Sequence, residues 1–348
     1  MPRAHEQLGL VDSYGRIARD LRVSLTDRCN LRCQYCMPAD GVEFMPTDQV
    51  LSDEEVIRLI GLAVCELGIT RVRFTGGEPL MRRGLEDIVA ATATLHTPDG
   101  DPVDISLTTN ALGLDKRAAR LHEAGLRRVN ISLDSATRSE YTKLTRRDRF
   151  DDAIAGIRES IRVGLSPVKI NTVVMPGIND QSVEELVMLG LELGVTVRFI
   201  EFMPIGVPGA WHNSDVISAQ TLRARLAEHF TLTPSSIDRG SSPAQVWDIA
   251  GGSYRGVSHP AGHIGFISSV TAPFCGDCDR TRLTAEGNVR SCLFSDEETS
   301  LRDLMRSGAS DSELAQVWRQ TMWGKPFGHE INTPGFTPPT RPMSAIGG

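Results

Sequence analysis

The chain is predicted to be an α/β protein built around a parallel sheet. Three observations support this: about six strand segments alternate with helical segments, the helices are amphipathic, and several helices end at a glycine that a strand soon follows. This alternation is typical of parallel sheets because a helix carries the chain back between neighbouring strands. Periodicity leaves two architectures open, a doubly wound open sheet and a barrel.

The elements can be followed in order along the N-terminal part of the chain. The predicted strands cover residues 21–25, 71–75, 103–108, 128–132, 168–171 and 197–200. Ser52 and Glu55 form a capping-box pattern that predicts the start of the first long helix, and Gly68 is expected to end it. Asp115 is predicted to cap a later helix, which Gly125 ends.

Past residue 205 the alternation fades. Residues 204–208 form a candidate linker, 222–230 a short helix, and 263–268 a strand, while 324–348 is Pro/Gly-rich and reads as an extended tail. We therefore expect two regions, an α/β core over residues 1–205 and a smaller, irregular region over residues 206–348.

Composition narrows the function classes. The 348 residues carry a formal net charge of −7, which argues against general nucleic-acid binding because that requires a basic surface. The sequence contains no apolar run long enough to span a membrane and no N-terminal signal core, so a cytoplasmic protein is expected. Six of the seven cysteines fall into two groups, which favours metal-bound thiolates in a reducing compartment over disulfides.

The first cysteine group is Cys29, Cys33 and Cys36, spaced by three and then two residues. Three thiolates on one short loop suit a [4Fe–4S] cluster whose fourth iron stays open to a small molecule. The alternative is a zinc knuckle. Zinc prefers four ligands and paired Cys-x-x-Cys spacings, so the cluster is the better interpretation.

Polar or glycine-bearing segments follow most of the predicted strands. They are residues 76–79, 108–110, 132–134 and 201–204, together with the cysteine loop after the first strand. Each alone could be an ordinary turn. Because the carboxyl ends of parallel strands meet at one edge of a sheet or one rim of a barrel, together they predict a single site.

The second cysteine group is Cys275, Cys278 and Cys292. It also offers three sulfur ligands, and a Cys₃His zinc site that uses His259 or His263 remains an alternative. Beside it lie Arg280 and Arg282, which could hold a phosphate chain through bidentate hydrogen bonds.

The cysteine spacing resembles that of the radical S-adenosylmethionine (SAM) enzymes. Along nearly the whole chain, the sequence is similar to the GTP 3′,8-cyclase family of that superfamily. The segments that carry this resemblance are residues 19–22, 29–36, 74–80, 107–110, 130–134, 198–203, 275–292 and 346–348. The resemblance implies a partial (β/α)6 barrel of the radical SAM type and a smaller C-terminal region with a second cluster.

The resemblance also implies roles for individual residues. Cys29, Cys33 and Cys36 would hold one [4Fe–4S] cluster, and Cys275, Cys278 and Cys292 a second. SAM would contact Tyr35, Gly77, Ser132 and Met203. GTP would contact Arg22, Arg73, Thr108, Lys169, Arg280, Thr281 and Arg282, with Arg280 and Arg282 also expected to take part in catalysis.

The reaction implied by the resemblance is a lyase reaction that begins molybdenum cofactor biosynthesis. A 5′-deoxyadenosyl radical would remove the hydrogen from C3′ of GTP, and C3′ would then attack C8 of the guanine. The expected partners are GTP, an electron donor of the flavodoxin or ferredoxin type, the downstream cyclic pyranopterin monophosphate synthase, and a second copy in a homodimer. The terminal Gly347 and Gly348 are expected to reach the active site.

Two alternatives stay open from the sequence. A peptide-modifying radical enzyme with an auxiliary cluster would share the first cysteine loop, although such enzymes usually carry more C-terminal cysteines. A zinc-binding scaffold without catalysis would use the same cysteines as structural ligands.

Overall fold

The computed structural model describes residues 9–206, 211–212 and 215–347. A short antiparallel pair, β1 (Leu10–Val11) and β2 (Ile17–Ala18), precedes six strands that alternate with helices. The strands are β3 (Asp20–Ser24), β4 (Arg71–Thr75), β5 (Asp104–Thr109), β6 (Arg128–Ser132), β7 (Val168–Val174) and β8 (Thr196–Glu201). The helices are α1 (Asp53–Cys65), α2 (Leu85–Ala93), α3 (Leu114–Glu123), α4 (Arg138–Thr145), α5 (Phe150–Arg162) and α6 (Val183–Leu193).

These elements confirm the predicted α/β class. At the start of α1, the Ser52 hydroxyl accepts from the Glu55 N–H, and the Glu55 side chain accepts from the Ser52 N–H, so the capping box is present. The predicted cap at Asp115 is wrong. The N-cap of helix α3 is Gly113, two residues before Asp115. Asp115 lies inside the first turn, where its negative charge interacts favourably with the helix dipole.

The C-terminal region adds strands to both edges of the same sheet. Its elements are α7 (Ala219–Ala227), β9 (Leu232–Pro234), β10 (Gln245–Ile249), β11 (Gly252–Tyr254), β12 (Val257–His259), β13 (Gly262–Ile267), β14 (Arg280–Leu283), β15 (Asn288–Arg290), β16 (Thr299–Ser300), α8 (Leu301–Arg306), α9 (Asp311–Trp323) and α10 (Met343–Ile346). The strand order is β16-β15-β14-β3-β4-β5-β6-β7-β8-β13-β10-β9. Strands β13 and β14 pair in parallel with β8 and β3, so eight consecutive strands are parallel.

The eight parallel strands curl into a partial barrel. Laid flat at about 4.8 Å per strand, they would span roughly 34 Å. Ile267 at the end of β13 and Arg280 at the start of β14 nevertheless line one cavity, which requires the sheet to bend round. The strand order does not close on itself within the described residues. Residues 268–279, which carry two cysteines of the second group, connect the two edges of the open barrel.

The interior of this barrel contains several charged and polar side chains. In β3, Leu21 and Val23 belong to the same apolar core as Leu59 of α1, so they face outwards to the helices. The alternate residue Arg22 lines the central cavity, as does Arg73 in β4. Small closed barrels fill their interior with apolar side chains. A polar lumen therefore indicates a binding site.

The helices of the described residues have at most 13 residues. In this part of the chain, no helix has both the length and the apolar character that a membrane span requires.

Candidate active site

One cavity of about 1400 Å³, counted with the part open to solvent, occupies the barrel. Of the residues predicted to form the site, the following line it: Arg22, Cys29, Cys33, Tyr35, Cys36, Arg73, Gly77, Thr108, Ser132, Met203, Arg280 and Arg282. The structure thus brings together most of the predicted residues from seven separate segments of the chain.

The first cysteine loop follows β3 and is held in a compact turn. The N–H groups of Cys36 and Met37 both donate to the Cys33 carbonyl at 3.0 Å. Arg146 donates to the Met37 carbonyl at 3.0 Å and braces the turn from outside. All three thiols face the cavity. These hydrogen bonds hold the backbone of the loop in its turn.

Burial raises the thiol pKa values on this loop. The pKa of Cys29 is raised, that of Cys33 is raised well above its usual range with a further contribution from Asp134, and that of Cys36 rises to about 12. Cysteines bind metals as thiolates, but burial disfavours the thiolate form here. A bound cation would therefore have to stabilise the negative charge of the thiolates. Iron would supply this positive charge.

The Gly-Gly turn after β4 locks against this loop. A Cβ at Gly77 would lie 2.4 Å from the Arg28 carbonyl oxygen, and one at Gly76, whose φ is +145°, would lie 2.5 Å from the Thr26 oxygen. The Gly77 N–H donates to that Thr26 oxygen at 2.7 Å. Gly77 is one of the residues expected to contact SAM. In the structure, the lack of a side chain at Gly77 allows the backbone of the cysteine loop to approach closely.

Glu78 is a buried carboxylate that the sequence reasoning did not assign. It accepts from the Thr109 hydroxyl at 2.7 Å, the Asn110 N–H at 2.7 Å and the Leu80 N–H at 2.9 Å. Burial outweighs these bonds and raises its pKa to about 7. A cationic group beside it would be bound and would lower this pKa again.

A second buried carboxylate, Asp134, supports Tyr35. The Tyr35 hydroxyl donates to Asp134 at 2.8 Å, and the Val173 N–H donates to its other oxygen at 2.8 Å. Burial raises the pKa of Asp134 to about 6. The pair fixes the ring of Tyr35 on the cavity wall next to Cys36.

Arginines form another wall of the cavity. The five are Arg22, Arg73, Arg198, Arg280 and Arg282. In the described part of the chain, Arg22, Arg73 and Arg280 each keep a buried guanidinium nitrogen without a hydrogen-bond partner. Such donors are costly when unpaired, so they indicate a place for an anion.

The carboxylate among these cations is Asp20. It lies 3.8 Å from Arg73. Burial alone would raise the pKa of Asp20. The positive charges of the nearby arginines, chiefly Arg73 and Arg22, together outweigh the effect of burial and hold this pKa below its usual value. Burial and mutual repulsion lower the pKa of Arg22 and bring that of Arg282 to about 10. The wall therefore carries an excess of positive charge that a polyanion would relieve.

Arg198 is the residue of this wall that the sequence reasoning missed. It donates to Asn171 at 2.9 Å and to Asn130 at 2.6 Å, which aims it into the lumen. Burial, with repulsion from Arg73, lowers its pKa to about 9. The signal was present in the sequence: in each of these strands, polar residues alternate with apolar ones.

Two predicted GTP contacts do not line the cavity. Thr281 is fully buried and its hydroxyl accepts from the Trp318 indole at 3.0 Å, on the opposite face of β14 from Arg280 and Arg282. The prediction for Thr281 therefore depends on its main chain alone. Lys169, at the start of β7, lies deeper in the barrel, where burial and repulsion from Arg198 lower its pKa to about 8.

The second cysteine loop bridges the barrel opening beside the arginine wall. Cys275–Asp277 form a single 3₁₀ turn, and the Cys278 N–H donates to the Cys275 carbonyl at 3.1 Å. Arg16 donates to the same carbonyl at 2.6 Å, and Lys325 donates to Cys278. Burial alone would raise the pKa of Cys278, but Arg280 and Lys325 outweigh it and lower this pKa. Burial raises the pKa of Cys275.

The geometry fits clusters better than zinc. Within the described ranges, no three His, Cys, Asp or Glu side chains converge closely enough to hold one metal ion. In a [4Fe–4S] cluster each cysteine binds a different iron, so the sulfurs stand further apart than the ligands of one zinc. His263 instead pairs with Asp248 at 2.8 Å, and His259 packs against Phe230. Both histidines considered for the Cys₃His alternative therefore have other contacts.

The C-terminal tail folds back into the site. Met343 and Ser344 line the cavity, and Ser344 lies beside the Cys36 thiol. The Ser24 hydroxyl donates to the Ile346 carbonyl at 2.6 Å, and Arg282 donates to the Gly347 carbonyl at 2.6 Å. The predicted approach of the tail is confirmed up to Gly347. Gly348 lies outside the described residues.

Comparisons with known proteins identify the family of the chain. A sequence profile of the radical SAM superfamily matches residues 23–190, and a profile named Molybdenum Cofactor Synthesis C matches residues 195–331. A GTP 3′,8-cyclase of Corynebacterium glutamicum is 56% identical over 348 residues, which are 100% of this chain and 92% of that protein. A GTP 3′,8-cyclase of Mycolicibacterium smegmatis is 52% identical and covers 97% of this chain and 92% of its own length.

A solved structure supports the fold at much lower identity. Streptococcus suis SuiB, bound to S-adenosylmethionine, has a TM-score of 0.55 and 14% identity, and covers 86% of this chain and 68% of SuiB. The nearly full-length matches to relatives and the two profiles agree with each other. The chain belongs to the GTP 3′,8-cyclase family of the radical SAM superfamily.

Proposed function

We propose that the chain cyclises GTP to 3′,8-cyclo-7,8-dihydroguanosine 5′-triphosphate, the first step of molybdenum cofactor biosynthesis. One observation carries the proposal. A single lumen has three thiols and a buried carboxylate of pKa about 7 on one wall, and five arginines on another, three of which have an unpaired donor. A thiol-bound cluster and a polyphosphate can therefore occupy the same enclosed space.

The cofactors fit the residues present. Cys29, Cys33 and Cys36 would hold the first [4Fe–4S] cluster, and Cys275, Cys278 and Cys292 the second. With SAM, the first cluster supplies the 5′-deoxyadenosyl radical that the reaction requires. Tyr35, Gly77, Ser132 and Met203 would contact SAM, and the Glu78 carboxylate suits its ammonium group.

The arginine wall would bind and orient GTP. Arg22, Arg73 and Arg280 can direct their open N–H groups to phosphate oxygens, and each such bond is charge-assisted. Holding the triphosphate at a fixed wall would place the ribose at a fixed distance from the first cysteine loop, and positioning of this kind lowers the barrier to reaction. The tail, packed against Ser24 and Arg282, would help to exclude water.

Other parts of the proposal come from family membership. The electron donor of the flavodoxin or ferredoxin type, the synthase that receives the product and the homodimer stay predictions, as does the division at residues 205 and 206. Residues of both regions line the lumen, among them Cys33 of the first and Arg280 of the second, so neither region would be active alone.

The experiment is an anaerobic incubation of the reconstituted protein with SAM and GTP deuterated at C3′. We expect 5′-deoxyadenosine that carries the deuterium, together with the cyclised nucleotide. GTP deuterated at C2′ is the matched control and should give unlabelled 5′-deoxyadenosine. Formation of 5′-deoxyadenosine that does not depend on GTP, or transfer from the C2′ substrate, would contradict the proposal.

A further inference from the structure

Lys325 places a buried ammonium group against the second cysteine loop. The residue follows α9 and is 3% exposed. Its Nζ lies 2.8 Å from the Arg280 carbonyl oxygen, 3.0 Å from the Cys278 carbonyl oxygen and 3.4 Å from the Cys278 Sγ. An ammonium group has three N–H donors. Each therefore has one acceptor, and one of the three acceptors is sulfur.

No carboxylate of the described residues contacts the ammonium group of Lys325. A buried cation without a counter-ion is strongly destabilising. The anion that lies within reach is a thiolate at Cys278, which is also the form that binds iron.

The first cysteine loop offers the contrast. The contacts to Cys29 sulfur come from the Leu31 N–H at 3.5 Å and the Asn110 amide at 3.9 Å, both uncharged. In the described residues, no lysine or arginine donates to a sulfur of that loop. The two loops therefore differ in whether a fixed cation touches a ligand sulfur.

We propose that Lys325 is a positioning residue of the second cluster, whose reduction potential it raises by donating a charged hydrogen bond to the Cys278 sulfur. Reduction adds negative charge to a cluster, so a nearby cation and an N–H···S bond favour the reduced form. The inference depends on the proposed function, because it requires a cluster at this loop.

The test is an anaerobic redox titration of the reconstituted holoenzyme followed by electron paramagnetic resonance. The second cluster is identified as the signal that changes when GTP is added. Lys325→Met removes charge and donors, Lys325→Gln keeps donors without the charge, and Lys325→Arg keeps the charge. Lys143→Met, at an exposed lysine in α4, is the matched control.

We expect the second cluster to become harder to reduce in Lys325→Met, less so in Lys325→Gln, and least in Lys325→Arg. The first cluster should keep its potential in all variants. Loss of the second cluster's iron from the Met and Gln variants, with retention in the Arg variant, would also support the inference.

Three results would overturn the inference. They are an unchanged second potential in a fully loaded Met or Gln variant, an equal shift of both clusters, and loss of the second cluster from all three variants, which would assign Lys325 a packing role. A wild-type protein without any GTP-responsive signal would count against the proposed function itself, so the two failures are distinguishable.

Discussion

The two cysteine loops have the same number of thiols and opposite surroundings. Around the first loop lie buried carboxylates, Glu78 and Asp134, and burial raises the pKa of every thiol. Around the second lie Arg16, Arg280 and Lys325, and the pKa of Cys278 is lowered. Two loops with the same number of cysteine ligands can therefore suit different bound molecules, because the charges around them differ. The acidic side suits an ammonium-bearing ligand such as SAM, and the basic side suits a nucleotide triphosphate.

The largest expected effect is the loss of product when a cysteine of either loop is replaced, and the product that is lost should differ between the loops. Cys33→Ala should abolish 5′-deoxyadenosine formation, because the first loop is proposed to generate the radical. Cys278→Ala should abolish cyclised product but leave slow, uncoupled cleavage of SAM. Chromatography of both products under anaerobic conditions measures this. Equal loss of SAM cleavage in the two variants would remove the functional distinction.

The tail links the two loops, since Ser344 lies beside Cys36 and Gly347 accepts from Arg282. Removal of Gly347 and Gly348 should abolish turnover while both clusters remain bound. Ser24→Ala, which removes the hydroxyl that donates to the Ile346 carbonyl, should reproduce part of this loss. Truncated protein that turns over GTP at the wild-type rate would show that the docked tail is not required.

Individual arginines of the basic wall should affect GTP more than SAM. Arg198→Met should weaken GTP binding by roughly 10- to 100-fold, since a hydrogen bond to a charged group contributes about 1.5–3 kcal/mol. Calorimetry with GTP and with SAM measures both affinities. A matched control, Arg158→Met, alters a cation of α5 outside the cavity lining and should leave both unchanged. An equal loss of SAM affinity in Arg198→Met would contradict the proposal that the arginine wall binds GTP and not SAM.

The smallest effect is a pH dependence. The pKa of Lys169 is lowered to about 8, so the side chain is charged below that pH and neutral above it. GTP affinity should therefore fall about fourfold from about pH 7 to about pH 8.5, if bound GTP keeps the lysine protonated. Lys169→Met should bind GTP more weakly and show a flatter profile. An identical slope in wild type and variant would exclude Lys169 from the GTP site.

Local sequence patterns predicted the fold class, the first cysteine loop and the strand ends that meet at the site, while the roles of residues such as Arg22 and Met203 came from the family resemblance. The Cys29–Cys36 spacing, the Gly76–Gly77 turn and the strand ends are continuous segments, so their chemistry is visible without a structure. Contacts between residues that are far apart in the chain could not be predicted from the sequence. Lys325 reaches Cys278 over 47 residues and Arg16 reaches Cys275 over 259. No local pattern specifies such pairs, because packing of the whole barrel brings them together.

The alternation of side chains along a strand explains why the prediction for Thr281 was not matched by a place in the cavity lining and why Arg198 was missed. Adjacent residues in a strand point to opposite faces, so Arg280 and Arg282 reach the lumen while Thr281 packs against Trp318. The same rule places Arg198 inside. The addition of β13 and β14 to the edges of the sheet depends on long-range pairing, which the fading alternation after residue 205 concealed.

The most direct test of two separate three-cysteine clusters is an iron count on anaerobically reconstituted protein. We predict about eight irons per chain in the wild type and about four in each of two triple variants, Cys29/Cys33/Cys36→Ala and Cys275/Cys278/Cys292→Ala. Bound zinc in place of iron at either loop, or a triple variant that keeps the full iron content, would contradict the account.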